Sequence, residues 1–430
     1  MRGPLPSDTP APDASRCRAL AHRFDTVRAR TAHLAAPIGA EDAMVQSMED
    51  ASPTKWHLAH TTWFFERFVL AETPGYEQLD RAWDYLFNSY YQGAGPMHAR
   101  PRRGVLSRPS LAQVFAYRAA VETRMREQLQ AGALDARLLD VVELGLQHEQ
   151  QHQELLLTDI KHAFSCNPLT PAYREDLPRV HGEGSALRWI SRQESIVEIG
   201  HPAWPDQAAF AYDNESPRHR VLVPAHALAH RPVTNAEYRD FIADGGYRTA
   251  TLWLSAGWET VRALGWQRPL YWSEDDAAVF TLGGWRDLDP DAPVCHLSYY
   301  EADAFARWAE ARLPTEFEWE QAAASLAVDG NFVDAGHLHP HAPRTASTGL
   351  QQMFGDVWEW TSSAYTAYPG YRPWPGTLGE YNGKFMDAQW ILRGGSCVTA
   401  ADHVRASYRN FFPSDARWQF AGVRLAKDSA

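Results

Sequence analysis

The sequence predicts an α+β protein of two differently built domains, an N-terminal four-helix bundle followed by a domain of short strands, loops and turns. Three observations predict it. The chain has 430 residues, enough for two folding units of ordinary size. Tryptophan is split unevenly, with 3 of the 17 before residue 180 and 14 after it. Apolar residues recur at steps of three and four in the first part, whereas the second part breaks into short apolar runs separated by Gly, Pro and Trp.

The elements follow in order. Residues 1–14 are rich in Pro, Ala and Asp and lack the apolar core of a signal peptide, so a disordered tail is expected there. Leu20, Phe24, Val27, Thr31 and Leu34 form the stripe of a first helix across Arg16 to Leu34. A second helix starts near Ser52-Pro53, with Ser52 as N-cap and Pro53 in the first turn. It carries His57, His60 or Thr61, Phe64 and Phe68 at helical spacing. The connection from Glu72 to Arg108 holds too much Gly, Pro and Arg for one element, and its aromatic residues argue for an ordered, functional loop. Ser110 opens a third helix, with Leu111, Val114, Arg118, Val121, Met125 and Leu129 along one side. The fourth helix contains Leu138, Val141, Gly145, His148, His152 and Leu155 on one stripe. The bundle is thus expected over 15–166. Five Pro and Gly residues between Asn167 and Ser185 mark a linker, 167–185. The second domain, 186–430, contains strand-like pieces at Ser195–Ile199 and His219–Val223, and helices at 234–243 and 299–311.

Composition excludes several classes of function. The net charge is −12 with no long basic block, so neither nucleic acid nor an anionic membrane is an expected partner. No apolar run approaches the length of a membrane span. The four cysteines are widely spaced, giving neither zinc-finger spacing nor a disulfide framework, so a cytoplasmic location is expected.

The fourth helix carries the chemistry. His148 and His152 are four apart, share one face and take positions where Leu is expected. One shared metal ion is the simplest reason for two inward histidines. His148-Glu149-Gln150-Gln151-His152 also matches H-E-x-x-H literally, the pattern of a zinc hydrolase with Glu149 as general base. In a bundle, the third ligand comes from a facing helix: His60 on the inward stripe of the second helix, with His57 in reserve. Three neutral imidazoles with open positions suit Zn(II) or Fe(II), and spacing does not choose between them. Glu154 is placed to orient a ligand imidazole from behind, or to lie on a solvated face. Gln151 is either a ligand contact beside the metal or a surface residue. In the long loop, the phenols of Tyr90 and Tyr91 can donate a proton to bound oxygen or simply pack. Arg100 and Arg103 offer forks for a carboxylate, or form a solvated basic loop.

These segments resemble a known family. Ser52-Pro-Thr-Lys-Trp-His-Leu-Ala-His60-Thr-Thr-Trp-Phe-Phe-Glu66 and His148-Glu-Gln-Gln-His152-Gln-Glu154 resemble the DinB-like bundle of the ergothioneine-type sulfoxide synthases. Arg312-Leu-Pro-Thr-Glu316-Phe-Glu-Trp-Glu, Gly355-Asp-Val-Trp-Glu-Trp360, Arg393-Gly-Gly-Ser396 and Gly422-Val-Arg424 resemble the formylglycine-generating-enzyme fold, a variant of the C-type lectin fold. The likeness spans roughly residues 15–427 and implies a non-haem iron enzyme. By resemblance, His60, His148 and His152 hold Fe(II), and O2 is the co-substrate. The reaction implied joins a cysteine-type sulfur to imidazole C2 of hercynine (Nα-trimethylhistidine) and gives a sulfoxide. Asn88-Ser-Tyr90-Tyr91 is similar to the branch that uses free L-cysteine, with Arg100 and Arg103 on the donor's carboxylate. Arg409-Asn410-Phe411-Phe412-Pro413 resembles the hercynine-binding segment. There, Asn410 and Gln151 are implied to bond the betaine carboxylate region. Phe411 and Phe412 are implied to face the trimethylammonium, a cation–π attraction of about 0.5–2 kcal/mol. Alternatives within the resemblance are γ-glutamylcysteine as donor, or a selenosugar as in a selenoneine synthase. Formylglycine generation, which uses a cysteine pair on copper, is disfavoured because Cys295 and Cys397 are a hundred residues apart in the chain.

Overall fold

The computed structural model describes residues 14–205, 209–343 and 348–429. The expected tail at 1–14 therefore lies outside the described residues, apart from Ala14, which opens the first helix. The chain divides into two compact units. The first comprises residues up to Ser89 and Ala94–His152; the second comprises Tyr90–Gly93 and Gln153 onward.

The first unit is helical. Helix α1 spans Ala14–Ala35, α2 Thr54–Phe68, α3 Ala82–Phe87, α4 Leu111–Ala131 and α5 Ala136–Cys166. α5 is continuous through the division between units at His152 and Gln153. The start of α2 differs from expectation: Pro53 occupies the N-cap without a side-chain cap, and the Ser52 hydroxyl instead accepts from Arg103 Nη1 at 2.8 Å. Ser110 behaves as its sequence predicts. Its hydroxyl accepts from Gln113 N while the Gln113 amide oxygen accepts from Ser110 N, a reciprocal cap on α4. Gly132 ends α4 at φ 61°, a left-handed conformation that suits glycine. The connection from 72 to 108 is a series of short pieces, with α3 and 3-10 turns at Gln92–Ala94 and Arg100–Val105.

Phe24, Leu58, Phe64, Phe65, Val114, Val121, Met125, Val142 and Leu146 are fully buried and form the core of the bundle. Gly145 sets how closely α5 approaches α2. A Cβ there would lie 2.7 Å from the Phe65 ring and 2.8 Å from the Phe64 ring.

In the second unit, strands β1 (Trp189–Arg192), β2 (Ser195–Ile199), β3 (His219–Val223) and β4 (His226–Ala229) come first. Helices α6 (Asn235–Ala243) and α7 (Ser255–Leu264) and the hairpin of β5 (Ala278–Thr281) with β6 (Gly284–Asp287) follow. Next come α8 (Tyr299–Trp308) and α9 (Glu316–Ala323). Strands β7 (Trp358–Ala364), β8 (Gln389–Arg393), β9 (Asn410–Pro413), β10 (Ala421–Gly422) and β11 (Ala426–Asp428) complete it. One sheet runs β10-β7-β8-β9, so β9 is an edge, paired antiparallel to β8 with Leu392 opposite Asn410 and Ile391 opposite Phe411. Another sheet runs β1-β4-β11, and β2 pairs with β3 alone. One buried apolar cluster of the unit comprises Leu228, Trp319, Phe332, Met353, Phe354 and Val404.

The sequence motifs of the second unit are tied up in its own framework. Glu359 accepts two short bonds from Arg424 and one from Trp319 Nε1 at 2.7 Å. Glu316 joins Arg393 at 2.7 Å to Arg409 at 2.9 Å. All are buried, so each charge has its partner inside the domain.

Gly145→Ala adds a methyl group where two rings leave no room. Overpacking of this kind costs about 1–3 kcal/mol, set against roughly 1 kcal/mol gained in helix propensity. Net destabilisation is expected in denaturant unfolding; an unchanged midpoint would show that the rings yield freely.

Candidate metal centre

Helix α2 supplies His57 and His60, and α5 supplies His148 and His152. The fold brings His60, His148 and His152 together, with one nitrogen from each lying within 4.8 Å of the others. All three are buried. His60 Nε2 and His148 Nε2 are 3.2 Å apart. The rings stand steeply to one another, His60 to His148 at 76°, His60 to His152 at 63° and His148 to His152 at 75°. Three steep rings with converging nitrogens suit one ion bound on one face.

The partners of the other ring nitrogens define which nitrogen is available. His60 Nδ1 lies 2.5 Å from the Phe87 carbonyl, which can only accept, so Nδ1 carries the proton and Nε2 presents its lone pair. His152 Nδ1 lies 2.8 Å from His57 Nδ1. His57, the reserve ligand, thus lies against His152. Burial holds the imidazolium forms down. It lowers His60 and His152 well below the usual range, and His148 to about 3. Neutral imidazole is the form that binds a metal.

His60 lies between two indoles, stacked on Trp56 at 4.5 Å and near Trp63 at 5.7 Å. The Arg103 guanidinium sits 3.4 Å over the Trp56 ring and donates to Ser52 and Ser89 hydroxyls at 2.8 and 2.9 Å. Arg103 is buried and part of this cluster. Arg100 is not: it is exposed and turned to Asp50, whose backbone carbonyl it bonds. The two arginines therefore sit in different surroundings, Arg103 buried beside Trp56 and Arg100 exposed beside Asp50.

Glu149 is neither a general base nor a solvated residue. It is fully buried, accepting from Arg28 Nη1 at 2.9 Å, Arg118 Nη2 at 3.0 Å and Thr31 Oγ1 at 2.7 Å. Burial pushes its carboxyl up, but the two guanidiniums outweigh burial and hold it at about 2. The literal H-E-x-x-H match therefore lacks a working base. The signal that could have revealed this is Arg118, a cation on an otherwise apolar stripe.

Glu154 also differs from expectation. Its oxygens accept from Trp358 Nε1 and Thr399 Oγ1, each at 2.6 Å, and from Ser396 Oγ at 3.4 Å, and none of these is an imidazole. Against the histidines lie instead the Phe87 carbonyl and His57. Gln151 is half-buried on the turn of α5 between His148 and His152.

The second unit groups other expected site residues. Tyr90 packs against Tyr381 at 5.5 Å and Phe385 at 5.8 Å. Phe385 lies 6.1 Å from Phe411, which stacks on Tyr365 at 4.1 Å. Tyr90 and Phe411 thus share one aromatic wall through Phe385. Tyr91 is buried, and burial, with Tyr90 and Glu380 nearby, pushes its phenol well above the usual range. Asn410 Oδ1 accepts from Phe411 N at 2.9 Å, and Phe412 packs on Trp418 at 5.9 Å. Cys295 and Cys397, distant in sequence, lie close enough to influence one another. Burial pushes Cys295 to about 12, and burial with Cys295 pushes Cys397 well above its usual value, so both stay thiols. Among the described residues no helix is long and apolar enough to cross a membrane.

Known proteins give the arrangement a context. Residues 23–156 match the DinB superfamily, and residues 191–429 match the Sulfatase-modifying factor enzyme 1-like domain. The chain is 33% identical to a protein named hercynine oxygenase from Mycolicibacterium thermoresistibile, over 95% of this chain and 94% of that one. It is 33% identical to the hercynine oxygenase of Mycobacterium tuberculosis, over 95% of this chain and 98% of that one. Among solved structures, PvdO from Pseudomonas aeruginosa aligns with 56% of this chain and 94% of its own, at 17% identity and a TM-score of 0.38. A DinB-type bundle joined to a sulfatase-modifying-factor domain, with relatives of this similarity over nearly its whole length, makes the protein an oxygenase. The chain belongs to the ergothioneine sulfoxide synthase family.

Removing Glu149's charge leaves the buried guanidiniums of Arg28 and Arg118 only the half-buried Glu122 carboxylate as an anionic partner. Glu149→Gln is expected to lose roughly 3–5 kcal/mol in denaturant unfolding, as when one partner of a buried ion pair is deleted. The native carboxyl is depressed from 4.5 to about 2, so its contribution is complete above 4.5 and lost as pH falls towards 2. Wild-type stability should therefore fall more steeply than that of the variant across this window. Full stability of Glu149→Gln would sink the structural role.

His57→Phe should weaken metal binding by about 10–100-fold, as loss of a ligand's supporting partner does. His60→Ala should abolish tight binding. Metal titration followed by calorimetry checks both; equal effects would make His57 a ligand.

Proposed function

We propose that the protein is an iron(II)- and O2-dependent sulfoxide synthase that couples imidazole C2 of hercynine to the sulfur of L-cysteine. The observation that carries this reading is the buried triad of His60, His148 and His152 in a chain so similar to named hercynine oxygenases. The donor set fits the metal. It is three neutral imidazoles, a type that suits iron or zinc, and zinc has no redox chemistry to offer an oxygenase. When bound, iron supplies O2 binding and electron transfer.

The chain's own residues do the rest. His57 and the Phe87 carbonyl orient the ligand imidazoles. Arg103 is the residue for the sulfur donor's carboxylate: its buried guanidinium is held flat on Trp56 and aimed by Ser52 and Ser89. Gln151 and Asn410 bond the carboxylate region of hercynine, and Phe411 and Phe412 meet its trimethylammonium. Tyr90 or Tyr91 delivers a proton or electron that directs oxygen away from simple thiol oxidation. The buried Tyr91 phenol keeps its proton at Oη and is suited to donate a hydrogen bond. Free cysteine is favoured as donor by the adjacent tyrosines. γ-Glutamylcysteine and a selenosugar are the competing donors.

Replacing Tyr90 and Tyr91 together with Phe should leave substrate binding largely intact and shift product from sulfoxide to cysteine sulfinate. Unchanged sulfoxide yield would remove the tyrosines from the mechanism. Mass spectrometry of parallel aerobic reactions of hercynine with cysteine, γ-glutamylcysteine and a selenosugar tests the donor. Sulfoxide from cysteine at the highest kcat/KM is expected, and a tenfold preference for either other donor, about 1.4 kcal/mol, would overturn it.

A further inference from the structure

Residues 90–93 are held by one short stretch of the second unit. The Glu380 carboxylate accepts from Gln92 N at 2.9 Å through one oxygen and from Gly93 N at 2.8 Å through the other. Lys384 Nζ donates to the Tyr90 carbonyl and stands 3.6 Å from Glu380. Tyr381, between them in sequence, and Phe385, just after Lys384, both pack edge-on against the Tyr90 ring. Four of the six residues from Glu380 to Phe385 thus grip Tyr90, Gln92 and Gly93, through three main-chain groups and one ring. Gly93 is required for this approach, since a Cβ would lie 2.5 Å from Thr377 Oγ1 and 3.1 Å from Glu380 Oε1.

The gripping stretch is itself fixed. Buried Asp213 accepts from Asn382 Nδ2 at 2.6 Å, from Tyr371 Oη at 3.2 Å and from Trp374 N at 3.3 Å. A rigid base, a carboxylate across two adjacent amides and an ammonium on the preceding carbonyl leave the backbone at Tyr90 and Tyr91 little freedom. A proton or electron donor needs that. Small errors in placing a reacting group cost large factors in rate.

We propose that Glu380 and Lys384 are positioning residues for the Tyr90–Tyr91 pair, and that through the backbone of 90–93 they control whether sulfoxide or sulfinate forms. This rests on the proposed reaction, so two readouts are needed. Hydrogen exchange across a peptide spanning 88–95 reports the grip whatever the reaction is. In Glu380→Ala the amides of Gln92 and Gly93 should exchange on the order of tenfold faster. The ratio of sulfoxide to sulfinate reports the role. It should fall on the order of tenfold in Glu380→Ala and Lys384→Ala, within the range one proton donor contributes, with KM for hercynine and cysteine unchanged. Lys384→Arg, which keeps a donor for the Tyr90 carbonyl, should recover much of the ratio. Glu380 is partly exposed, so its removal leaves the core intact. Unchanged exchange overturns the grip. Faster exchange with an unchanged product ratio overturns the positioning role. Wild-type protein that makes no sulfoxide overturns the proposed reaction, while exchange still decides the grip.

Discussion

The rotation of α5 about its axis is the constraint on which the metal centre depends, and Glu149 fixes it. Consecutive helical residues point about 100° apart, so the direction of Glu149 determines that of His148 beside it. Glu149 is held between Arg28 of α1 and Arg118 of α4. Rolling α5 would strand the Glu149 carboxylate in the core and take from Arg28 and Arg118 their fully buried partner, at a cost of several kcal/mol. Arg28 also donates to Thr62 of α2, one turn-half beyond His60, and Arg118 to Thr61. One buried network therefore references both histidine-bearing helices to the same charge. Gly145 completes the setting from the other side, where α5 meets Phe64 and Phe65.

Within that frame the ligand imidazoles are set ring by ring. The Phe87 carbonyl comes from α3 in the long connection, and so do Ser89 and Arg103, which bear on Trp56 and hence on the face of His60. The connection is part of the centre through Phe87, Ser89 and Arg103. This accounts for a long, aromatic-rich segment between two helices that a shorter turn could join.

The helices and their apolar faces were legible in the sequence because periodicity is a local property. So were the three histidines, since polar residues on a core stripe break the pattern that surrounds them. The Ser110 cap was legible for the same reason: its partner is three residues away. What was not legible depends on partners far off in the chain. Glu149 meets Arg28 across 121 positions, and Glu154 meets Trp358 across 204. Spacing placed both glutamates near the histidines but could not say which way each was engaged. Arg100 and Arg103 looked equivalent for the same reason. They are three apart in a 3-10 turn, and only the fold separates the buried one from the exposed one. Ser52 had two plausible uses, and its bond to Arg103 took precedence over capping α2.

The charge balance of the centre bears on the choice of substrate. Three neutral imidazoles leave a divalent ion its full double charge, in a buried setting where uncompensated charge is costly. The nearby carboxylate in sequence, Glu149, is already neutralised by two guanidiniums. Glu154 gives its lone pairs to Trp358, Ser396 and Thr399, and burial pushes its carboxyl up rather than down. Under the proposed function, the substrates are one source of that compensation. In the proposed reaction the sulfur donor brings it twice over: a thiolate for the ion, and a carboxylate for Arg103. If the proposed reaction holds, a neutral thiol would leave a bound divalent ion less compensated than a thiolate would. Around the ligands stand the indoles of Trp56 and Trp63, the ring of Phe64 and the Arg103 guanidinium, with no further carboxylate in the histidine cluster among the described residues.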